Sequence, residues 1–224
     1  QKAKTLCIST SLRRRGSRQM EVLKKRIRLL KCVFPAKIFS LDGFPVMLFV
    51  HGGGYVCGDS RMYGDEGICR HVVAKDVVVV TIQYRLGYLG FFSTGDSACS
   101  GNLGLWDQTE ALKWTRDNIA AFGGNPVGNR YALASSTTQN NVTVFGQCAG
   151  GASVDFLLLN PHSNGLFHKA IPMAGAADCS WAMNAKVAEN CSAFAVKHGV
   201  TEKDSEKTQI DYGIIISVFP SRYK

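Results

Sequence analysis

The chain has 224 residues, which is enough for one or at most two domains with a sizeable buried core. Its 46% apolar and 19% charged residues exclude a disordered chain, and no apolar run reaches the roughly 18 residues of a membrane-spanning helix. The net charge of +9 arises in residues 1–32, with 11 Lys and Arg and one acidic residue, whereas the remainder sums to −1. This distribution disfavours nucleic-acid binding by the globular body.

The cysteines indicate neither a disulfide framework nor a zinc site. There are 8 of them in 224 residues, at positions 7, 32, 57, 69, 99, 148, 179 and 191, and no pair has C-x-x-C spacing. We therefore expect no metal site and no cofactor that depends on one. The N-terminal region lacks the apolar core of a signal peptide, so the sequence leaves the compartment open.

Residues 1–44 differ from the rest and are predicted to form a basic N-terminal arm. Within the arm, Met20–Lys31 places apolar residues at near-helical spacing among basic ones, which predicts a short amphipathic helix. A frayed, solvated tail is favoured over a contact with RNA or a membrane. Steep salt dependence of binding would indicate the latter.

From residue 45 onwards the pattern alternates between strands and helices. Strands are predicted at Val46–Val50, Asp76–Tyr84, Val142–Phe145 and Lys169–Ala174. Helices are predicted at 65–75, at Trp106–Phe122, after the turn Gly146–Gly151 up to Leu159, and at Trp181–His198. The stretch Tyr84–Leu105 is predicted to be a loop. Such alternation predicts a mostly parallel sheet with helices on both faces, whose active site lies beyond the carboxyl ends of the strands.

The segment Gly146-Gln147-Cys148-Ala149-Gly150 has the form G-x-nucleophile-x-G between a strand and a helix. Glycines on both sides permit a sharp turn that lifts the central side chain above the sheet. The turn therefore has the shape of a nucleophile elbow. The amide of Ala149 would face an oxyanion that develops beside Cys148.

A second glycine-rich turn, His51-Gly52-Gly53-Gly54, follows the first apolar strand. It can present consecutive backbone N–H groups without side-chain obstruction, as an oxyanion hole requires. Either turn alone is a weak signal. Their succession, each after a strand and about a hundred residues apart, is a stronger indication of acyl-transfer chemistry.

At these residues the chain resembles the type B carboxylesterases, a family that includes the cholinesterases and their non-catalytic adhesion relatives. The matching stretches are PVMLFVHGGGY (45–55), VVVVTIQYRLGYLGFFS (77–93), GNLGLWDQTEALKWTRDNIAAFGGNP (101–126), NVTVFGQCAGGASV (141–154) and HSNGLFHKAIPMAG (162–175). The resemblance implies an α/β-hydrolase fold with Gly53, Gly54 and Ala149 in the oxyanion hole and no cofactor. It also implies small carboxylic esters as substrates, cleaved through an acyl-enzyme. Family members are often secreted or in the lumen of the endoplasmic reticulum.

Two departures from the family pattern bear on activity. Cys148 occupies the position of the family's serine, and the family's acid and histidine lie further downstream than the 76 residues that follow Cys148. The resemblance therefore implies a partial domain, residues 45–207, truncated after the nucleophile-elbow half. We expect Cys148 to be inert because none of the five histidines is predicted to activate it. The alternative function is a non-catalytic binding or adhesion module with a protein partner, so enzyme activity stays an open question.

Residues Val127–Gln139 interrupt the family pattern as a polar insert of thirteen residues. A surface loop could absorb them at modest entropic cost. Alternatively, they are translated from a short intron, because every Val codon begins with GT and one Gln codon is CAG. The unmatched tail 208–224 fits either a diverged paralogue or an imperfect gene structure.

Overall fold

A six-stranded sheet forms the centre of the molecule in the computed structural model, which describes residues 43–126 and 141–200 and the backbone of strands 4–8 and 27–33. The strands are β1 (Lys4–Ile8), β2 (Ile27–Val33), β3 (Val46–Val50), β4 (Val78–Ile82), β5 (Val142–Gln147) and β6 (Lys169–Met173). Their order across the sheet is β1-β2-β4-β3-β5-β6.

The four strands β4, β3, β5 and β6 are parallel, as predicted. Val46 of β3 lies opposite Val78 of β4 on one side and opposite Val142 of β5 on the other. All three valines are buried, because a parallel sheet covered on both faces has no solvated face. The carboxyl ends of β3 and β5 therefore meet at the same edge of the sheet, and each continues into one of the two glycine-rich turns.

Helices cover both faces of this sheet. They are α1 (Glu66–His71), α2 (Gly87–Phe91), α3 (Leu103–Asn118), α4 (Ala149–Leu159) and α5 (Val187–Lys197). On one face, Leu112 of α3 and Val154 of α4 join the main apolar core beside Leu48. On the other face, Cys69 of α1 packs in a smaller cluster with Val79. The prediction of an α/β fold with helices on both faces is confirmed.

The helix boundaries differ from the prediction in three places. Helix α2 lies within Tyr84–Leu105, which was predicted to be a loop. Helix α3 already begins at Leu103 and gives way to a 3₁₀ turn, Ile119–Phe122, which Gly123 ends with a φ of 77°. Helix α5 begins only at Val187. Glycine-rich and polar stretches obscure such boundaries because neighbouring elements decide whether they fold as turns or helices.

The predicted amphipathic helix Met20–Lys31 is wrong from Ile27 onwards, because Ile27–Val33 is strand β2. β2 pairs antiparallel with β4, with Ile27 opposite Ile82. A short isolated helix is marginal in water, whereas the edge of β4 offers a row of backbone partners. The interpretation of the basic arm as a solvated tail is likewise wrong for β1 and β2. Residues 20–26 lie outside the described part of the chain.

The residues that flank the insert Val127–Gln139 lie next to each other. The Asn125 N–H donates to the Phe44 carbonyl at 2.8 Å, and the Asn141 carbonyl accepts from the Val46 N–H at 2.9 Å. A much shorter connection could therefore also link them, which agrees with an insert at this point. The insert itself and the tail 208–224 lie outside the described residues, so both stay predictions.

Among the described strands, β6 lies at one edge of the sheet and exposes apolar side chains. Ile171 is 44% exposed and Met173 37% exposed, and Leu159 at the end of the neighbouring α4 is 73% exposed. An uncovered, apolar edge strand is a template for pairing with other chains. Within the described residues, no helix is long and apolar enough to cross a membrane.

We therefore expect the 224-residue chain to express mainly as insoluble protein. Ile171→Lys should raise the soluble fraction, because a charge on an edge strand opposes strand-to-strand association. Val196→Lys, at a 64% exposed position on α5, is the matched control and should change it less. Soluble and pelleted protein after lysis measure the effect. A monodisperse, cooperatively melting wild-type monomer would contradict the expectation.

Candidate functional site

The turn between β5 and α4 places Cys148 in a strained conformation. Its φ is 57° and its ψ is −121°, a left-handed backbone that non-glycine residues adopt only when the surroundings enforce it. The Cys148 N–H donates to the Met173 carbonyl at 2.9 Å, and the Cys148 carbonyl accepts from the Ala152 N–H at 3.0 Å. Both neighbours therefore hold the turn, and the half-buried thiol stands at the amino end of α4.

The glycines on either side of Cys148 are required by close backbone contacts. A Cβ at Gly146 would lie 2.4 Å from the Gly150 carbonyl oxygen, and a Cβ at Gly150 would lie 2.0 Å from the Val50 carbonyl oxygen. Real Cβ atoms do not approach that closely. The predicted strand–turn–helix geometry thus depends on β3 packing directly under the first turn of α4.

The second glycine-rich turn lies against the first. A Cβ at Gly52 would be 2.5 Å from the Gln147 carbonyl oxygen and 3.1 Å from Cβ of Cys148. Gly53 and Gly54 follow with φ values of 115° and 60°, which favour glycine. The structure therefore brings the two turns that the sequence singled out into direct contact beside the Cys148 side chain.

Three backbone N–H groups in the two turns have no hydrogen-bond acceptor among the described residues. They belong to Gly53, Gly54 and Ala149. Ala149 is the first residue of α4, where no carbonyl precedes it within the helix. Free N–H donors and a helix amino terminus together favour an anionic oxygen. The oxyanion-hole role that the sequence analysis gives these three residues stays a prediction.

His51 begins the second turn, and its ring makes no hydrogen bond to the Cys148 thiol. Its ring is fully buried and stacks on Tyr84 with ring centroids 4.5 Å apart. Its Nδ1 lies 2.9 Å from the Gly52 carbonyl oxygen, and Nε2 has no partner among the described residues. The Tyr84 hydroxyl donates to the His51 carbonyl at 2.8 Å. Burial lowers the pKa of His51, with smaller opposing effects of the Gly52 hydrogen bond and the Asp59 charge.

Stability should fall on acidification because of this buried ring. Since the pKa of folded His51 lies below 6.5, the unfolded chain binds the proton more tightly. The stabilising effect of the neutral ring is complete above pH 6.5 and is lost as the pH falls through the folded-state value. The urea midpoint should therefore decrease from pH 8 towards pH 5. Burial also lowers the pKa of His168, which adds a contribution of the same sign.

His51→Asn should reduce this pH dependence, whereas His71→Asn on the exposed surface of α1 should leave it unchanged. Equal slopes for wild type and His51→Asn would show that His51 is not the group responsible.

None of the five histidines, all of which are described, is hydrogen-bonded to the Cys148 thiol. His71 lies at the end of α1, and His162 packs on Trp106 with ring centroids 4.9 Å apart. The His168 N–H donates to the Val142 carbonyl, and His198 stacks on Phe194 at the end of α5. The structure therefore offers no thiol–imidazole pair of the kind that activates a cysteine nucleophile.

Two groups of polar residues near the site were missed by sequence reasoning. Tyr55, Ser153 and Gln108 form a hydrogen-bonded row beneath the turns. Burial raises the pKa of Tyr55, and the hydrogen bond from Ser153 partly opposes this. Asp107 and Arg85 form a forked ion pair. Asp107, Gln108 and Ser153 lie within the predicted helices and were the available signal, since buried polar groups are normally paired.

The chain is similar to known proteins over most of its length. The sequence profile described as "Carboxylesterase family" matches residues 32–212. The chain is 47% identical over 166 residues to Esterase cest-33 of Caenorhabditis elegans, an alignment covering 73% of this chain and 28% of that protein. It is 43% identical over 161 residues to mouse Neuroligin-2, covering 72% of this chain and 17% of that protein.

A solved structure shows the same fold. The crystal structure of juvenile hormone esterase from Manduca sexta, with OTFP covalently attached, matches with a TM-score of 0.68 and 34% identity, covering 84% of this chain and 33% of that one. The chain therefore spans a third or less of the length of these three relatives. Within the described residues, no group of three or more His, Cys, Asp or Glu side chains could hold a metal ion.

Proposed function

Because this chain belongs to the carboxylesterase family, we propose that residues 45–207 are part of a carboxylic ester hydrolase domain in which Cys148 stands at the nucleophile position. The substrates of this site are small carboxylic esters. The thiol gives its proton to solvent and its sulfur attacks the ester carbonyl, so that a C–S bond forms. The C–O bond to the alcohol then breaks, and the departing alkoxide takes a proton from solvent. The product of this step is a thioester on Cys148.

The observation that carries the proposal is the set of N–H groups of Gly53, Gly54 and Ala149, which lack acceptors among the described residues and belong to the two turns that touch at the strained Cys148. Preorganised donors of this kind stabilise developing oxyanions, and removal of one typically lowers kcat by about 10²–10³.

Turnover is nevertheless impaired in this proposal. None of the five histidines is hydrogen-bonded to the Cys148 thiol, so neither attack nor hydrolysis of the thioester has a histidine as its base. Oxyanion stabilisation and binding alone leave about 10³–10⁴-fold acceleration over water. Cys148 is then acylated slowly, and its thioester is hydrolysed still more slowly.

A second candidate is a non-catalytic binding module for a protein partner. The same lack of a thiol–imidazole pair supports it, together with the 43% identity to Neuroligin-2. In that case Cys148 is an inert small residue at a turn kept for its shape. The two candidates differ in whether Cys148 becomes acylated.

The deciding experiment exposes the purified 224-residue chain to p-nitrophenyl acetate and follows nitrophenolate release and the mass of the Cys148 peptide. We expect one acetyl group on Cys148 and turnover no faster than that of Cys148→Ala. Cys69→Ala, at a buried thiol on α1, is the matched control and should behave as wild type.

Sustained turnover that Cys148→Ala abolishes would show that catalysis is not impaired. No acetylation of Cys148 by a folded chain, shown by a cooperative thermal transition, would favour the binding module.

A further inference from the structure

Tyr55 directly follows His51–Gly54, the oxyanion turn of the proposed function, and has an unfavourable backbone conformation. Its φ is 63°, after values of 115° at Gly53 and 60° at Gly54. Glycines adopt this region freely, but an aromatic residue there is strained by about 1–3 kcal/mol. Such a conformation persists only where surrounding contacts enforce it, so the contacts of Tyr55 should reveal what fixes the turn.

Three contacts hold Tyr55 in place. Its carbonyl accepts a hydrogen bond from the Gly87 N–H at 2.7 Å, at the start of α2. Its ring packs edge-on against Phe91 at the end of α2, with centroids 5.1 Å apart. Its hydroxyl accepts a long hydrogen bond, 3.4 Å, from the Ser153 hydroxyl of α4. Together these contacts connect the oxyanion turn with α2 and α4.

The direction of the Ser153 bond is set by Gln108. The Gln108 side-chain Nε2 donates to Ser153 Oγ at 3.1 Å, so the Ser153 proton is left to donate to Tyr55. Gln108 and Ser153 are both fully buried. The row Gln108–Ser153–Tyr55 thus runs from α3 through α4, five residues after Cys148, to the turn that carries Gly53 and Gly54.

We propose that Tyr55 is a positioning residue that holds the N–H groups of Gly53 and Gly54 against the Cys148 turn, through Ser153 and Gln108. Because α4 carries both Ala149 and Ser153, the hydrogen bond between Ser153 and Tyr55 fixes the donors on the two turns relative to one another. Tyr55 itself touches neither the thiol nor the reacting carbonyl in this role. The inference rests on the proposed function, in which those donors stabilise an oxyanion.

The test compares two reactions of the same thiol. Acetylation of Cys148 by p-nitrophenyl acetate passes through an oxyanion, whereas alkylation by iodoacetamide does not, so their rate ratio reports on the donors alone. The ratio is measured by peptide mass spectrometry for the native chain and for the chain unfolded in urea. We expect Tyr55→Phe and Ser153→Ala to lower the native ratio by about three- to tenfold, the effect of one ordinary hydrogen bond.

Two controls separate positioning from general destabilisation. Tyr63→Phe removes another hydroxyl near the turns, one that makes an exposed bond to Gln147, and should leave the ratio unchanged. The double variant Tyr55→Phe with Ser153→Ala should lower it no more than either single change, because both remove the same bond. Hydrogen exchange at the Gly87 amide, which donates to the Tyr55 carbonyl at 2.7 Å, should become faster in both single variants and stay unchanged in Tyr63→Phe.

The outcomes distinguish the inference from the proposed function. A native ratio equal to the ratio in urea would contradict the oxyanion role of the N–H groups. Hydrogen exchange alone would then show whether Tyr55 positions the turn. A raised native ratio that Tyr55→Phe and Ser153→Ala leave unchanged would overturn the positioning role of Tyr55. Unchanged amide exchange in both single variants would overturn the positioning role of Tyr55, whatever the rate ratio.

Discussion

Gly150→Ala should unfold or severely destabilise the protein, with a loss of about 3 kcal/mol in the free energy of unfolding, the upper part of the range for overpacked cores. The new Cβ would stand 2.0 Å from the Val50 carbonyl oxygen and 2.9 Å from that of His51. Both obstacles are main chain at the end of the central strand β3, so no side chain can rotate away. Urea denaturation followed by circular dichroism measures the loss.

The matched control is Gly67→Ala, also within a helix, where a new Cβ meets nothing within 4 Å. It should stabilise by about 0.5–1 kcal/mol, since alanine loses less backbone entropy than glycine in a helix. Equal stability of Gly150→Ala and wild type would mean that β3 and α4 do not pack as closely as the structure has them.

Asp107→Ala should cost about 3 kcal/mol of stability, because it leaves a partly buried cation and a backbone donor without their acceptor. Asp107 Oδ2 accepts from the Arg85 main-chain N–H at 2.9 Å and from its Nε at 2.8 Å, and Oδ1 accepts from a terminal nitrogen of Arg85 at 2.8 Å. The Asp107 side chain is only 5% exposed, against 33% for Arg85. Thermal and urea unfolding measure the effect.

Glu110→Ala, one turn further along α3, is the matched control. Its ion pair with Lys113 is about half exposed, at 45% and 39%, and such pairs contribute about 0.5 kcal/mol or less. Asp107→Asn should give an intermediate loss, because the amide keeps one acceptor oxygen. If Asp107→Ala costs no more than Glu110→Ala, the fork does not hold β4 to α3.

Much of the fold could be predicted from local patterns. The run DVVVVTIQY predicts a buried strand because β-branched side chains fit a sheet covered on both faces, and β4 lies within it. The elbow was predictable since glycines on both sides of Cys148 leave few other backbone shapes for a strand followed by a helix. Family membership followed from the same stretches.

Other features of the fold could not be predicted from local sequence patterns. Strand β2 forms because β4 has an edge to pair with, and no local pattern in Met20–Lys31 contains that edge. Helix α2 lies in a glycine-rich stretch whose propensity is low, and contacts with the oxyanion turn and α3 decide its fold. Tyr55 carries no sequence signal, because its importance depends on two helices remote in sequence.

Local sequence was enough to predict the family, the alternation of strands and helices, and the two glycine-rich turns, because each depends on residues close together along the chain. Only the folded chain shows that the two turns touch, that three of their N–H groups lack acceptors among the described residues, and that none of the five histidines is hydrogen-bonded to the thiol. These facts depend on where β3, β5 and α4 lie in space. Backbone packing of segments about a hundred residues apart fixes those positions, and local sequence preferences do not contain them.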